Sequence, residues 1–208
     1  MNVELSARAE VTDRRVRKTR AALLAAAVRL VEERETTDIS VTDLAEAADV
    51  SRRVLYQHFG DRDALLTAAA AQLLTQELLT SSAPGGTGDL PSMLDTARHF
   101  AAHRTFYRAM LVGSCSHAAT RTIAQLFRPY SIVGARELFG DLDDTTASEI
   151  ADFLTGGTTA VLSEWLIEAA EPLDPVALAE RIARVQAVIS PRIPDSDRLA
   201  ARSARHRQ

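Results

Sequence analysis

The sequence predicts an all-α fold, and three observations carry that reading. Apolar residues recur at helical spacing, as Leu24, Val28 and Val31 do at i, i+4 and i+7. Alternating apolar and polar runs bounded by turns, the mark of strands, are scarce. Serine or aspartate stands ahead of several apolar-periodic stretches, where helix N-caps belong. With 208 residues, 46% of them hydrophobic, the chain can bury a sizeable core, which excludes disorder throughout.

The elements follow in order. Residues 1–13 are polar and are expected to form a flexible arm. A first helix is expected over 14–33, with Arg14, Arg15, Arg17, Lys18 and Arg20 on its first turns. Ser40-Val41-Thr42-Asp43 reads as a capping box, a serine N-cap with an acid three residues on. It opens a short helix over 41–48 that exposes Thr42 and Glu46. Asp49-Val50 makes a turn, Ser51 is a second N-cap, and the next helix runs to Phe59, where Gly60 ends it. Asp61 or its neighbour caps a long fourth helix to about residue 80. The stretch SSAPGGTGDLP at 81–91 is the clearest loop in the chain. Helices are then expected over 92–102, 105–112, 118–139, 145–170 and 175–190, and a flexible tail over 191–208. No internal repeat stands out.

Charge and composition narrow the function classes. The formal net charge is −4, so the chain is no polycation and any nucleic-acid contact must come from a local patch. Residues 1–63 hold eleven Lys/Arg against twelve Asp/Glu. Binding there must rest on orientation, with Glu32, Glu33 and Glu35 pointing away from a duplex. One cysteine, Cys115, rules out an internal disulfide and points to a reducing compartment. The N-terminus lacks the apolar core of a signal peptide, and no run is long enough to span a bilayer, so a soluble cytoplasmic protein is expected. No P-loop, dinucleotide fingerprint, nucleophile elbow or zinc-protease motif is present, so neither an enzyme nor a cofactor is expected.

The third helix divides by face. Val50, Leu55 and Phe59 fall on the side that packs, while Arg52, Arg53, Tyr56 and Gln57 fall largely on the other. Preceded by a short helix and a tight turn, it makes a helix-turn-helix candidate. The first turn of such a helix enters the major groove, where arginine reads guanine O6 and N7 through two parallel hydrogen bonds. Tyr56, His58 and Arg62 are donors of the kind that grip phosphates, and the backbone N–H groups opening the fourth helix could add to them. An exposed arginine pair by itself is usually a solvated face; the surrounding pattern separates this pair from that reading.

Over Ser40 to Leu66 the sequence SVTDLAEAADVSRRVLYQHFGDRDALL resembles the DNA-binding segment of the TetR family of transcriptional regulators. The likeness is specific over about the first 80 residues and returns weakly at Gly156-Gly157-Thr158 through Trp165-Leu166. It implies base contacts from Thr42, Arg52 and Arg53, with Ser51 beside them at the helix tip. It implies phosphate contacts from Tyr56, His58 and Arg62, with Gln57 able to serve either role. Departures are visible. Asp49 stands for the usual turn glycine, Arg53 for a common glycine, Val54 for a common threonine and Arg62 for lysine. Glu35-Thr36-Thr37 stands where a glycine usually closes the first helix.

The resemblance further implies an N-terminal three-helix DNA-binding domain over 14–60. A long helix joins it to a helical ligand-binding and dimerisation domain over 61–190. It implies a homodimer through the last two large helices, a double-stranded palindromic operator, and a small-molecule effector that releases it. Nothing in 81–208 names the effector. The ligand-binding residues expected are His103, Phe106, Tyr107, Met110, Phe127, Tyr130 and Trp165.

Two other readings stand beside this one. His99 and His103, at i, i+4, could hold a metal, and His117 follows near Cys115. No acidic or cysteine ligand lies close in sequence, so the plainer reading is two polar side chains on an amphipathic helix, and no metal is expected. Cys115 could sense redox state but reads first as a small core residue. The competing function is a helical ligand- or metal-binding protein with a vestigial helix-turn-helix. An α-helical enzyme without a familiar signature comes third.

Overall fold

A computed structural model describes residues 2–79 and 92–190, with side-chain environments from Arg14 onward. The expected loop at 81–91 and tail at 191–208 lie outside the described residues. Those residues form helices and turns with no strand. No described helix is long and apolar enough to cross a membrane.

Helix α1 spans Asn2–Arg34 without a break. The expected arm over 1–13 is therefore helical from Asn2 on. The stretch contains no glycine or proline, and Glu4, Leu5, Ala7, Arg8 and Ala9 are good helix formers, so an established helix propagates backwards through it. Glu35 closes α1 in the left-handed region at φ 54°. Helix α2 (Val41–Ala47) begins where Ser40 Oγ accepts the Asp43 N–H at 3.0 Å. The Asp43 carboxylate pairs with Arg34 at 2.5 Å, so the cap works in one direction and the acid ties α2 to α1. Asp49 takes the turn at φ 53°, a conformation aspartate tolerates better than most residues.

Helix α3 (Arg52–Phe59) is capped by Ser51, whose hydroxyl accepts the Val54 N–H, and ends at Gly60 with φ 83°. Helix α4 (Arg62–Leu74) runs into a π-helical turn at Thr75–Leu79. Then come α5 (Met93–Ala102), α6 (Arg104–Val112), α7 (Ser116–Phe139), α8 (Asp144–Glu168) and α9 (Pro175–Ile189).

Helices α1 and α4 pack on each other, α2 lies on α1, and α3 is held between α2 and α4. Helices α7 and α8 pair along their lengths, and α5 lies against α9. A single apolar core runs from Leu23 and Leu24 in α1, through Leu65, Leu66 and Leu74 in α4, to Trp165, Leu178 and Ile182 in α8 and α9. Each leucine fully withdrawn from water contributes ~1.5–3 kcal/mol. The N-terminal part, α1 to α3, and the distal helices therefore share one buried interior through α4.

Helix α6 is fastened at both ends. Arg104 donates to the Leu166 and Ala169 carbonyls at 3.0 and 2.6 Å and pairs with Glu171 at 2.7 Å, serving the open C-terminus of α8. At its other end, Gly113 presses against the α1–α2 connection. A Cβ built on it would stand 2.0 Å from Thr37 Oγ1.

Candidate nucleic-acid interface and internal cavities

The helix α3 surface is arranged as the sequence predicts. Leu55 is completely buried, Phe59 half-buried, and Arg52, Arg53, Tyr56 and Gln57 are exposed. The Arg52 and Arg53 guanidiniums make no hydrogen bond or ion pair with any described residue, so both are free to meet an outside partner. Ser51 and Thr42 are exposed beside them, and α2 packs directly on α3. His58 is half-buried beside Phe59; its carbonyl accepts from Arg20 at 3.4 Å, and the Arg20 guanidinium lies 4.4 Å from the Phe59 ring centre. Arg20 thus clamps α3 to α1, while Arg14, Arg15 and Lys18 remain exposed one to two turns earlier. Two of the acids expected to turn away are accounted for. Glu33 pairs with Arg29 along α1, and Glu32 faces His103 in the distal half of the molecule.

Arg62 is placed otherwise than the motif suggests. Its guanidinium pairs with Asp38 at 3.1 Å and Asp63 at 2.9 Å, and donates to Ser114 Oγ at 3.0 Å. It is an internal tie between the start of α4, the α1–α2 connection and the α6–α7 turn. The sequence could not reveal this, because Asp38 and Ser114 lie 24 and 52 residues away. The N-terminus of α4 is also partly served from within: Asp61 accepts the Ala64 N–H at 2.7 Å, putting a carboxylate where a phosphate would sit.

A cavity of about 180 Å³ lies between α5, α7, α8 and α9. Phe127 and Tyr130 line it, as expected, together with Met93, Ile123 and Leu162. Its polar groups are hydroxyls and an amide: Thr96, Ser131, Thr155, Thr158, Thr159 and Gln186. No charged side chain lines it. Thr155 Oγ1 and Ser131 Oγ are bonded across it at 2.7 Å. Pro129 sits within α7 between the two aromatic residues and has no N–H for the helix ladder, leaving a carbonyl free one turn earlier.

Five of the expected ligand residues are not on this cavity. Phe106, Tyr107 and Met110 are wholly buried because the apolar stripe of α6 faces inward against α1, α7 and α8, and Trp165 on α8 is nearly so. His103 lies at the α5–α6 junction instead. The cavity wall is set by hydroxyls as much as by aromatics. The row Thr155, Thr158, Thr159 and Leu162, at i, i+3, i+4 and i+7 on α8, carried the signal.

The α5–α6 junction gathers acids and histidines from four places. Glu77 Oε2, on the π-helical turn, lies 2.7 Å from His103 Nε2 and 3.4 Å from His99 Nδ1. His103 Nδ1 lies 3.2 Å from Glu32 Oε1, and His99 Nε2 lies 2.9 Å from the Tyr107 hydroxyl. Burial, helped by the neighbouring His103, pushes the His99 imidazole down to about 4, so it is neutral near neutral pH. Burial also raises the Tyr107 phenol, which stays protonated. The acids that face His99 and His103 come from α1 and the end of α4, while Asp95, four residues before His99, is engaged by Ser92 and Arg98. Cys115 is buried with its sulfur 3.6 Å from Met110 Sδ, and burial raises its thiol pKa, as suits a core residue. His117 is exposed on the first turn of α7.

The model of a family described as bacterial regulatory proteins, tetR family, matches residues 23–75, which run from α1 through α3 to the end of α4. Among solved structures, the chain is similar to the dihydroxyacetone kinase operon activator DhaS, with a TM-score of 0.56 and 16% identity. That likeness covers 82% of this chain and 94% of that one. It is also similar to NalD, the secondary repressor of the MexAB-OprM multidrug efflux pump in Pseudomonas aeruginosa. Here the TM-score is 0.50 and the identity 20%, over 85% of this chain and 98% of that one. At these identities the likeness shows the fold. No curated protein matches the sequence.

Proposed function

We propose that this chain, whose residues 23–75 match the model of the tetR family of bacterial regulatory proteins, is a ligand-released transcriptional repressor acting on a palindromic operator. The observation that carries the reading is the exposed, unpartnered pair Arg52 and Arg53 on the first turn of a Ser51-capped helix held by buried Leu55. Those guanidiniums read base edges in the major groove. Thr42 joins them from α2, and Tyr56, Gln57 and His58 border the phosphates.

A homodimer gives the operator its symmetry. On α8 and α9, Phe153 is 75% exposed and Val188 84%, with Val185 and Ile189 also open to solvent. Gly156 and Gly157 lie exposed one turn from Phe153 and leave room for close approach of a second helix. This apolar surface is what a four-helix interface between two copies would cover. The two recognition helices would then stand about 34 Å apart, or a multiple of that, to meet successive major grooves.

The effector is a small, uncharged, largely apolar molecule bearing a hydrogen-bonding group. This follows from the hydroxyl-rimmed, charge-free cavity between α7 and α8, whose roughly 180 Å³ lies below the range for drug-sized ligands. It releases DNA only insofar as it binds the non-DNA-binding conformation more tightly, a difference typically of ~1–3 kcal/mol. The route is short. Arg104 fastens α6 to the end of α8, and the other end of α6 meets the DNA-facing part at Gly113–Thr37 and Ser114–Arg62.

Random-sequence selection with the purified chain, followed by gel shifts, tests the reading. It should enrich one palindrome, and a bound effector should release it. With no enriched sequence, the protein is a helical ligand-binding protein with a vestigial helix-turn-helix.

A further inference from the structure

We propose that Glu77, His99 and His103 form a binding site for a divalent transition metal of the zinc class, one ion per chain, with Glu32 and Tyr107 orienting the two imidazoles. The site lies at the α1–α4–α5 junction, apart from the cavity between α7 and α8, and does not depend on the function proposed above.

Convergence is the first argument. Glu77, His99 and His103 each offer a ligand atom, and these lie within 4.8 Å of one another. Around a tetrahedral ion with bonds of ~2.0–2.2 Å, neighbouring ligand atoms stand about 3.4 Å apart. Glu77 Oε2 and His99 Nδ1 are already at 3.4 Å. Glu77 Oε2 and His103 Nε2, at 2.7 Å, must open by about 0.7 Å to reach that spacing, a small adjustment for a half-exposed glutamate side chain.

The outer nitrogens are the second argument. Each imidazole turns one nitrogen toward Glu77 and has the other engaged by a fixed partner: Glu32 for His103 and the Tyr107 hydroxyl for His99. A metal-bound histidine characteristically donates its remote N–H to such a partner, which sets the tautomer and presents the other lone pair to the ion. His103 stands between two carboxylates, and a cation seated between its Nε2 and the Glu77 oxygen would also face His99 Nδ1.

Access and position complete the case. A groove lined by Glu32, Gln76, Glu77 and His103 runs alongside, giving the ion an entry path and an open fourth position for water. The π-helical turn carries Glu77, and such turns recur at functional sites. A bound ion would draw the last turns of α1 and the end of α4 onto α5. The same two helices hold α2 and α3, so occupancy would bias their orientation.

The test uses the tag-free full chain, stripped with chelator and titrated with Co2+, then with Zn2+. The parent should take up one Co2+ per chain with the visible d–d bands of a four- or five-coordinate ion. Zn2+ should displace it and raise the melting temperature. Glu77→Gln and His103→Gln, checked for parent-like circular dichroism, should lose affinity by roughly 100-fold or more, and Glu32→Gln by roughly 10- to 100-fold. X-ray absorption of the zinc-loaded parent should count two imidazoles, a readout that needs no variant. Absence of one-per-chain binding, unchanged affinity in both Glu77→Gln and His103→Gln, or an imidazole count other than two would overturn the proposal.

Discussion

The outer face of α3 and the junction at Glu77 both gather polar side chains and hold them in opposite ways. On α3, Arg52 and Arg53 stand in solvent with no described partner. At the junction, the ring nitrogens of His99 and His103 face groups brought from α1, the end of α4 and α6. On α3 the cationic pair is left open to solvent and to any outside partner. At the junction, carboxylates and imidazoles turned inward tie elements together and can face a cation. Arg62 stands at the border: the motif places it with α3, and its contacts with Asp38, Asp63 and Ser114 place it with the ties.

The contrast can be broken from either side. The largest effect expected is from Leu55→Ala, which removes the fully buried anchor of α3 and should cost ~2–5 kcal/mol in denaturant unfolding. DNA binding should fall with it although no base-facing group is touched. Gly113→Ala comes next. The new methyl meets Thr37 Oγ1, so overpacking should cost ~1–3 kcal/mol, and the effector's ability to release DNA should weaken in gel shifts.

Arg62→Ala separates the two uses of one residue. As a tie, it should lower stability by about 1 kcal/mol, in keeping with partly exposed pairs, and leave the salt dependence of DNA binding unchanged. A salt slope reduced by about one would return Arg62 to the phosphate contacts. The smallest effect is a gain. Glu35→Gly relieves a left-handed backbone at φ 54° and should raise stability by up to ~1 kcal/mol in thermal unfolding.

What was legible in the sequence follows the distance over which each feature is specified. Ser40, Ser51 and Gly60 act within four residues, so the bounds of α2 and α3 could be read directly. Asp49 and Glu35, where the TetR pattern has glycine, carry positive φ, so the backbone keeps the turn and bears the strain. The extension of α1 to Asn2 is masked by the polarity of residues 1–13, which contain no helix breaker. The cavity's aromatic wall was half legible in Phe127 and Tyr130. Its threonines were not, since a threonine reads alike on a surface and on a cavity wall until neighbouring helices are placed. The cluster at Glu77 joins residues 26 and 71 positions apart, and no local window holds it.

The central claim is that α3 reads bases with its free arginines, and Arg53→Ala tests it most directly. Binding should be measured at fixed salt against the selected operator and against every single-base variant of it. The account predicts a loss of ~1–3 kcal/mol on the parent operator and relaxed selectivity at one base pair of each half-site, while Tyr56→Phe weakens all variants alike. If Arg53→Ala discriminates among the variants as the parent does, the free guanidinium on α3 is a solvated charge and the base-reading account is wrong.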